Sequence, residues 1–261
     1  MTAQNDFDGL GGIVTGAGSG IGRAVALELA SRGGDVLAVD INLDAARETA
    51  QLAPESGGGR ILPHRADTTD PAQVAAFADR ASAEFPRPWF FHNNAGVGGA
   101  HKSIVDIDPA EWLRVIDINL NSFFYGMKYV LPVLTAAGGG AVVITGSLLS
   151  LKGAPMRSDY TATKHAVLGL TRAAAAEVAA DHVRVNCICP GPIETPLQRL
   201  SEQLSNAEDP EAERRRFNES APMGRYGTVD EIARSVAFLL SPAVPYLTGT
   251  ALTVDGGLSA I

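Results

Sequence analysis

Residues 11–22 read GGIVTGAGSGIG, a short strand-forming run that passes through glycines into a segment of helical period. Glycines at a strand–helix junction let the backbone approach a pyrophosphate, which the free N–H groups of the helix N-terminus stabilise. Gly16, Gly20 and Gly22 give the spacing G-x-x-x-G-x-G, which fits neither G-x-G-x-x-G nor a P-loop. We predict a dinucleotide-binding loop here, and the alternative is a tight turn with close helix packing.

Strand-like and helical segments alternate along the rest of the chain. The strand-like runs are residues 11–16, 35–40, 60–67, 89–96, 140–147, 183–191 and 250–257. The helical segments begin near Ser19 and Leu43, cover 71–85, run from about Pro109 to Leu134, contain Tyr160, and run from about Val229 to Leu240. This alternation predicts one α/β domain over residues 1–261, with about seven parallel strands covered by helices on both faces.

Composition limits the partners. A chain of 261 residues with 46% hydrophobic content can bury the core of one large domain, and a net charge of −8 argues against nucleic-acid and anionic-membrane surfaces. No stretch reaches the roughly 18 uncharged apolar residues of a membrane span, and the first residues are acidic where a signal peptide is basic. We expect a cytoplasmic protein with a small-molecule partner.

Neither the cysteines nor the histidines predict a metal site. Cys187 and Cys189 are one residue apart, which is neither redox nor metal spacing, and the five histidines show no ligand spacing. We expect two buried free thiols in a reducing compartment.

Acidic residues end the second and third strand-like runs. Asp40 can accept hydrogen bonds from both ribose hydroxyls of an adenosine and would repel a 2′-phosphate. Ser19, Ile41 and Asn42 offer no compensating cation, so the sequence predicts NAD over NADP. Asp40 could instead cap the next helix. Asp67 could meet the adenine amino group, because Asp70 before Pro71 is the better helix cap.

The spacing of Tyr160 and Lys164 places both side chains on one face of a helix. A phenol exchanges protons slowly at neutral pH, but a nearby ammonium favours the phenolate. The pair therefore predicts a general acid/base, with a lysine that can also touch ribose hydroxyls. The alternative is an ordinary exposed polar pair. Ser147, at the end of a strand, could hold a substrate oxygen against the tyrosine, although a lone serine there is more often a cap.

Six motifs in order resemble the short-chain dehydrogenase/reductase family. They are TGAGSGIG at 15–22, NNAG at 93–96, Asn119 in INL, Ser147, YTATK at 160–164 and PGPIET at 190–195. The resemblance runs from about Leu10 to Gly257. It implies a single Rossmann-like domain with a seven-stranded parallel sheet, and reversible hydride transfer between NAD(P) and an alcohol or ketone.

The resemblance also implies a role for each matching residue. Tyr160 would be the acid/base, Lys164 its partner and a ribose ligand, and Ser147 the substrate anchor, while the backbone carbonyl of Asn119 would hold a relay water. Residues 94–96 would lie along the adenosine, and Ile193 and Thr195 would meet the nicotinamide carboxamide. The expected cofactor contacts are Gly16, Ser19, Gly20, Ile21, Gly22, Asp40, Asp67, Asn94, Ala95, Gly96, Tyr160, Lys164, Ile193 and Thr195.

Residues 196–221 are charged and amphipathic, with Leu197, Leu200 and Leu204 at helical spacing. We predict a mobile lid whose apolar stripe covers the substrate; ordinary helix packing is the alternative. The arginines at 214–216 are bracketed by acids, so we interpret them as a solvated helix face.

The rest of the substrate pocket would come from residues 97–102 and 148–156, which predict a mostly apolar lining. The alternative functions are an NADP-dependent reductase of 3-oxoacyl thioesters and a non-catalytic NAD-binding regulator. The resemblance further implies a homotetramer whose contacts use the helices near 110–134 and 155–180.

Overall fold

Seven strands form one parallel sheet within residues 5–54 and 58–261, which the computed structural model describes. Their bounds are β1 (Gly11–Thr15), β2 (Asp35–Asp40), β3 (Ile61–Arg65), β4 (Pro88–Asn93), β5 (Gly140–Thr145), β6 (Val183–Pro190) and β7 (Ala251–Val254). The order across the sheet is β3-β2-β1-β4-β5-β6-β7. This confirms the predicted doubly wound α/β fold with seven parallel strands.

Nine α-helices accompany the sheet in the described part of the chain. They are α1 (Gly20–Ser31), α2 (Leu43–Gln51), α3 (Pro71–Glu84), α4 (Pro109–Ile116), α5 (Ser122–Ala136), α6 (Ser158–Val178), α7 (Pro196–Ser205), α8 (Pro210–Ser220) and α9 (Val229–Leu240). Within these residues no helix is long and apolar enough to cross a bilayer.

The central strands are buried on both faces. Successive side chains of a strand point to opposite sides, so Val14 packs with α1 and α9 on one face while Ile13 packs with α3, α5 and α6 on the other. Both residues are almost inaccessible to solvent. Burial on both sides explains why the central strands read as continuous apolar runs rather than as alternating patterns.

The helix predicted from Pro109 to Leu134 is interrupted. A π-helical turn, Asp117–Asn121, separates α4 from α5, and the Ser122 amide donates to the Asp117 carbonyl five residues earlier. Asn119 lies in this turn with no exposed surface. Its side chain donates to the Val97 carbonyl at 2.8 Å and accepts from the Val97 amide at 2.8 Å, so the wider turn accompanies a tie between the helix and the loop after β4.

Strand order reverses between β1 and β4, which are neighbours in the sheet. Ligands of open α/β sheets bind beyond the carboxyl ends of the strands at such a point. Thr15, the last residue of β1, holds the two ends together: its hydroxyl accepts from the amides of Asn94 at 2.8 Å and Ala95 at 3.1 Å. It donates to the His92 carbonyl at 3.4 Å. The crevice above the sheet is therefore framed by hydrogen bonds within the protein.

Replacing Thr15 by valine should lower the free energy of unfolding by about 2 kcal/mol, because two backbone amides lose their acceptor while the side-chain shape is kept. Urea denaturation measures the change. Thr15→Ser keeps the hydroxyl and should lose less than half as much. Equal stability of the two variants would show that this hydroxyl does not hold the strand ends together.

Candidate active site

The glycine loop after β1 has the conformation that a phosphate cradle requires. Gly16 has φ +65°, in the left-handed region that favours glycine. A Cβ on Gly22 would clash with the Gly16 carbonyl, and a Cβ on Gly18 would lie 2.8 Å from the Asp40 Oδ2. Gly18 was not among the predicted residues, because the contact that requires it comes from the end of β2.

The N-terminus of α1 opens toward the crevice. Ser19 is the N-cap residue, but its side chain makes no capping hydrogen bond. The first backbone N–H groups of a helix have no partner within it, so those of α1 are available to an anion. Ser19, Gly20 and Ile21 all line the cavity.

Asp40 both faces the cavity and supports the glycine loop. Its carboxylate accepts from the Gly18 amide at 2.8 Å and from the Asn42 amide at 2.9 Å. The alternative reading of Asp40 as a helix cap is wrong, since the Asn42 side chain caps α2 by accepting from the amides of Asp44 and Ala45. Each carboxylate oxygen can accept a further hydrogen bond, so Asp40 can still bind a ribose.

Asp67 lies on the same wall, after β3. One of its oxygens accepts from the Thr69 amide at 2.9 Å and from the Thr69 hydroxyl at 2.7 Å. Asp70 caps α3 through the Ala72 amide at 2.9 Å, as predicted. Asp67 is thus not used as a cap, and its second oxygen has no hydrogen-bond partner among the described residues.

Arg65 is a cation near Asp40 that we did not expect from the sequence. The register of β2 and β3 sets Asp40 opposite Arg65, and the Arg65 Nε lies 3.4 Å from the Ile41 carbonyl. The side chain is exposed. Arg65 is therefore a cation near Asp40 that could pair with a 2′-phosphate, the group that Asp40 would repel.

The NNAG segment closes the crevice on the side of β4. The Asn94 side chain connects the ends of three strands. Its Nδ2 donates to the Thr15 carbonyl at 3.0 Å, and its Oδ1 accepts from the Thr145 hydroxyl at 2.9 Å. Both ends of its side-chain amide are therefore used in hydrogen bonds within the protein, while Ala95 and Gly96 line the cavity beside it.

Lys164 is a buried ammonium on α6, with only 3% of its surface exposed. Its Nζ donates to the Thr145 carbonyl, at the end of β5, at 2.8 Å. No carboxylate among the described residues lies within ion-pair distance of this nitrogen. The other two N–H groups of the ammonium remain available on the cavity wall.

Tyr160 lies one turn earlier on α6, and the two side chains face each other. The Lys164 Nζ is 5.5 Å from the centroid of the tyrosine ring and 5.0 Å from that of Phe123. The ammonium thus lies beside the phenol ring, with little solvent around it and no carboxylate within ion-pair distance among the described residues. The tyrosine hydroxyl in this cavity is a group that can donate and accept a proton.

The position of Ser147 is compatible with both roles considered for it, a helix cap and a substrate anchor. Its hydroxyl oxygen accepts from the Leu149 amide at 3.1 Å and so caps a short 3₁₀ helix, Leu148–Ser150. Among the described residues the hydroxyl hydrogen has no acceptor, and Ser147 lines the same cavity as Tyr160. Ser147 can therefore donate to an oxygen held near the phenol.

The segment after β6 completes the cavity. Ile193 is buried, and Thr195 caps α7 by accepting from the Gln198 amide at 3.1 Å. Among the leucines of the predicted lid, Leu197 and Leu204 line the cavity and Leu200 does not. The arginines of α8 form ion pairs with Glu194, Asp209 and Glu213, in agreement with the predicted solvated face.

One cavity of about 960 Å³ brings the predicted residues together. Every predicted site residue lines it except Gly22, which lies behind the glycine loop, and Asn119, which supports the loop after β4. The uncapped helix end, the glycine contacts and the acid at the end of β2 fit a dinucleotide. In the described part of the chain, no group of three or more His, Cys, Asp or Glu residues could hold a metal.

Comparison with known proteins finds relatives along nearly the whole chain. A family model described as enoyl-(acyl carrier protein) reductase matches residues 16–259. Cyclohexanol dehydrogenase of Acinetobacter sp. (strain SE19) is 41% identical over 257 residues, covering 98% of this chain and 98% of that protein. Cis-4-hydroxycyclohexanecarboxylate dehydrogenase of Sinomonas cyclohexanicum is 39% identical over 249 residues, covering 95% and 96%.

The solved structures give the same result. The crystal structure of levodione reductase matches with a TM-score of 0.93 and 36% identity, covering 97% of this chain and 99% of that one. Sequence, fold and site geometry thus agree that the chain is an oxidoreductase and belongs to the short-chain dehydrogenase/reductase family.

Proposed function

We propose that the protein catalyses the reversible, NAD-dependent oxidation of a cyclic secondary alcohol to a ketone, with Tyr160 as the general acid/base. The observation that carries this proposal is the buried Lys164 ammonium, 5.5 Å from the centroid of the Tyr160 ring, on the wall of a cavity that also contains an uncapped helix end. A general acid/base of this kind contributes about 10²- to 10⁴-fold to the rate.

The roles of the residues follow from their positions. Bound NAD would accept the hydride that leaves the carbinol carbon with its electron pair. In oxidation, ionised Tyr160 takes the proton of the alcohol hydroxyl, and the C–O bond becomes a carbonyl. Ser147 donates to the same oxygen and holds it against the phenol. In reduction, Tyr160 returns the proton to the oxygen.

Lys164 has two tasks in this mechanism. Its positive charge lies beside the phenol that exchanges the proton, and two of its N–H groups would bind the nicotinamide ribose. The π turn at Asn119 lies beside this region, and we propose that the backbone carbonyl of Asn119 holds a water that passes protons from Lys164 to solvent. Ile193 and Thr195 are proposed to contact the nicotinamide carboxamide, and Asp67 the adenine.

The cavity and the relatives support a cyclic substrate. Leu148, Leu149, Met156, Leu197 and Leu204 give the substrate end apolar walls. Relatives that match almost the whole chain are named for cyclohexanol and for a hydroxycyclohexanecarboxylate. A six-membered ring carrying a secondary hydroxyl is therefore the substrate class that we propose.

We also propose that the enzyme acts as a cytoplasmic homotetramer. Leu113 on α4 and Phe124 on α5 are 59% and 48% exposed, so this surface offers apolar area to a second copy. Residues 196–221, which form α7 and α8 over the substrate end, are proposed to act as the lid.

Replacing Tyr160 by phenylalanine should lower kcat for a cyclic alcohol at least about 100-fold, because the variant has no group to take the hydroxyl proton. NADH binding, followed by fluorescence, should be retained. The rate is measured as NADH formation from cyclohexanol and NAD. Tyr246→Phe makes the same chemical change at a fully exposed position and is the control. A Tyr160→Phe enzyme as active as this control would refute the proposed acid/base.

The wild-type enzyme should use NAD at least about 10-fold better than NADP, as judged by kcat/KM, because Asp40 repels a 2′-phosphate. Asp40→Asn keeps an acceptor for the glycine loop but removes the charge, so its use of NADP should rise about 10-fold. Arg65→Gln should leave the preference unchanged. If the wild type prefers NADP and Arg65→Gln loses that preference, Arg65 binds a 2′-phosphate and the NAD assignment is wrong.

A further inference from the structure

Arg157 places a guanidinium at the substrate end of the cavity. It is the residue immediately before α6, and its Cζ lies 5.1 Å from the centroid of the Tyr160 ring. The sequence of the pocket segments predicts a mostly apolar lining, but the structure adds this cation beside the proposed acid/base. The sequence does not predict this position, because Arg157 precedes the helix and no local spacing relates it to the cavity.

Few of the hydrogen bonds that this guanidinium can donate are made. Nη1 donates to the Ser201 hydroxyl, on α7 of the lid, at 2.9 Å. Nε is buried and has no hydrogen-bond partner in the described part of the chain. A buried donor without an acceptor costs free energy. Nη2 also has no hydrogen-bond partner among the described residues, but it is not enclosed by protein atoms as Nε is, so it is the donor that a ligand oxygen can reach.

The charge of Arg157 also has no direct counter-ion. No carboxylate among residues 5–54 and 58–261 lies within ion-pair distance of it. The neighbouring Asp159 is fully buried, and its two oxygens accept from the amides of Tyr160 and Ala100, each at 2.7 Å. On the opposite wall, Glu213 is paired with Arg216. Burial lowers the pKa of the Arg157 guanidinium, which still remains protonated at neutral pH.

Two residues in the left-handed region flank this position. Met156, directly before Arg157, has φ +61°, and His101 has φ +55°. Both line the cavity. Such a conformation costs a residue other than glycine about 1 kcal/mol or more, and it persists where the surrounding structure fixes it, often at functional sites. The surrounding structure therefore fixes the segment that carries Arg157 on the cavity wall.

His101 contributes hydrogen bonding but no charge. Its Nδ1 is 3.0 Å from the Ser205 hydroxyl and its Nε2 is 3.4 Å from the Ser201 hydroxyl. Burial, together with the positive charge of Arg157, lowers the pKa of His101 to about 4, so the ring is neutral at pH 7. On this wall Arg157 is therefore the cation, and the nearby negative charge is that of Asp159, whose two oxygens accept from backbone amides rather than from the guanidinium.

Resting on the proposed function, we propose that the preferred substrate is a cyclic secondary alcohol or ketone that also bears a carboxylate, and that Arg157 binds this carboxylate. A guanidinium donates strong hydrogen bonds to a carboxylate, and Nη2 supplies donors that no described residue accepts. Because the guanidinium lies 5.1 Å from the Tyr160 ring centroid, one small ring could span both groups.

The substrate test compares NAD-dependent oxidation of the hydroxycyclohexanecarboxylates with that of the matching methylcyclohexanols, which have the same ring without the charge. Wild-type kcat/KM should be at least about 10-fold higher for the best acid than for its methyl analogue, mainly through KM. Arg157→Gln should abolish this ratio, and Arg157→Lys should retain part of it because the charge is kept.

Arg215→Gln is the control. Arg215 is exposed on α8, does not line the cavity and pairs with Asp209 outside it, so the preference ratio of this variant should stay near that of the wild type. Binding of cyclohexanecarboxylate, which has no hydroxyl to oxidise, provides a readout that does not depend on turnover. The complex with NADH should bind this anion, as followed by NADH fluorescence, and the binding should weaken about 10-fold in Arg157→Gln.

The carboxylate assignment and the alcohol dehydrogenase function can fail separately. If the wild type oxidises methylcyclohexanols but shows no preference for an acid, or if Arg157→Gln loses both substrates equally, the carboxylate assignment is overturned and the alcohol dehydrogenase function stands. If the wild type oxidises neither class, the proposed function fails. In that case, cyclohexanecarboxylate binding that depends on Arg157 still supports the anion site, and binding that is absent or unchanged in the variant overturns it.

Discussion

The site depends on one buried ammonium. Lys164 has almost no contact with solvent, and the Thr145 carbonyl, at the end of β5, accepts one of its hydrogen bonds. A charge in that position needs partners, and the phenol ring of Tyr160 and the open crevice are the neighbours that can supply them. β5 and α6 together therefore fix the position of the proposed acid/base, and the glycine loop fixes where a dinucleotide can lie.

Much of this arrangement can be predicted from the sequence because the spacings that produce it are local. Tyr160 and Lys164 are one helical turn apart, Asp40 is the last residue of β2, and Ser147 comes two residues after β5. Strands of one parallel sheet end at the same edge, so residues that are distant in the chain converge once the strand–helix alternation is recognised. The glycine loop is readable for the same reason, as the junction of β1 with α1.

The remaining features depend on contacts between segments that no local pattern relates. Arg65 comes next to the ribose side of the crevice only through the register of β2 and β3. Asp159 holds the Ala100 amide across 59 positions, and Thr15 holds that of Asn94 across 79. Arg157 reaches the lid through Ser201. The sequence thus predicts the residues around the cofactor. It does not predict the residues around the substrate, which loops bring together in the fold.

The proposed catalytic arrangement is best tested by a crystal structure of the ternary complex with NAD and a non-oxidisable analogue of a cyclic alcohol. In this complex the Lys164 ammonium should lie within about 3.2 Å of ribose hydroxyls, and the hydroxyls of Tyr160 and Ser147 should both lie within that distance of the analogue's oxygen. A nucleotide bound outside the crevice, or a Lys164 side chain directed away from both ribose and phenol, would contradict it.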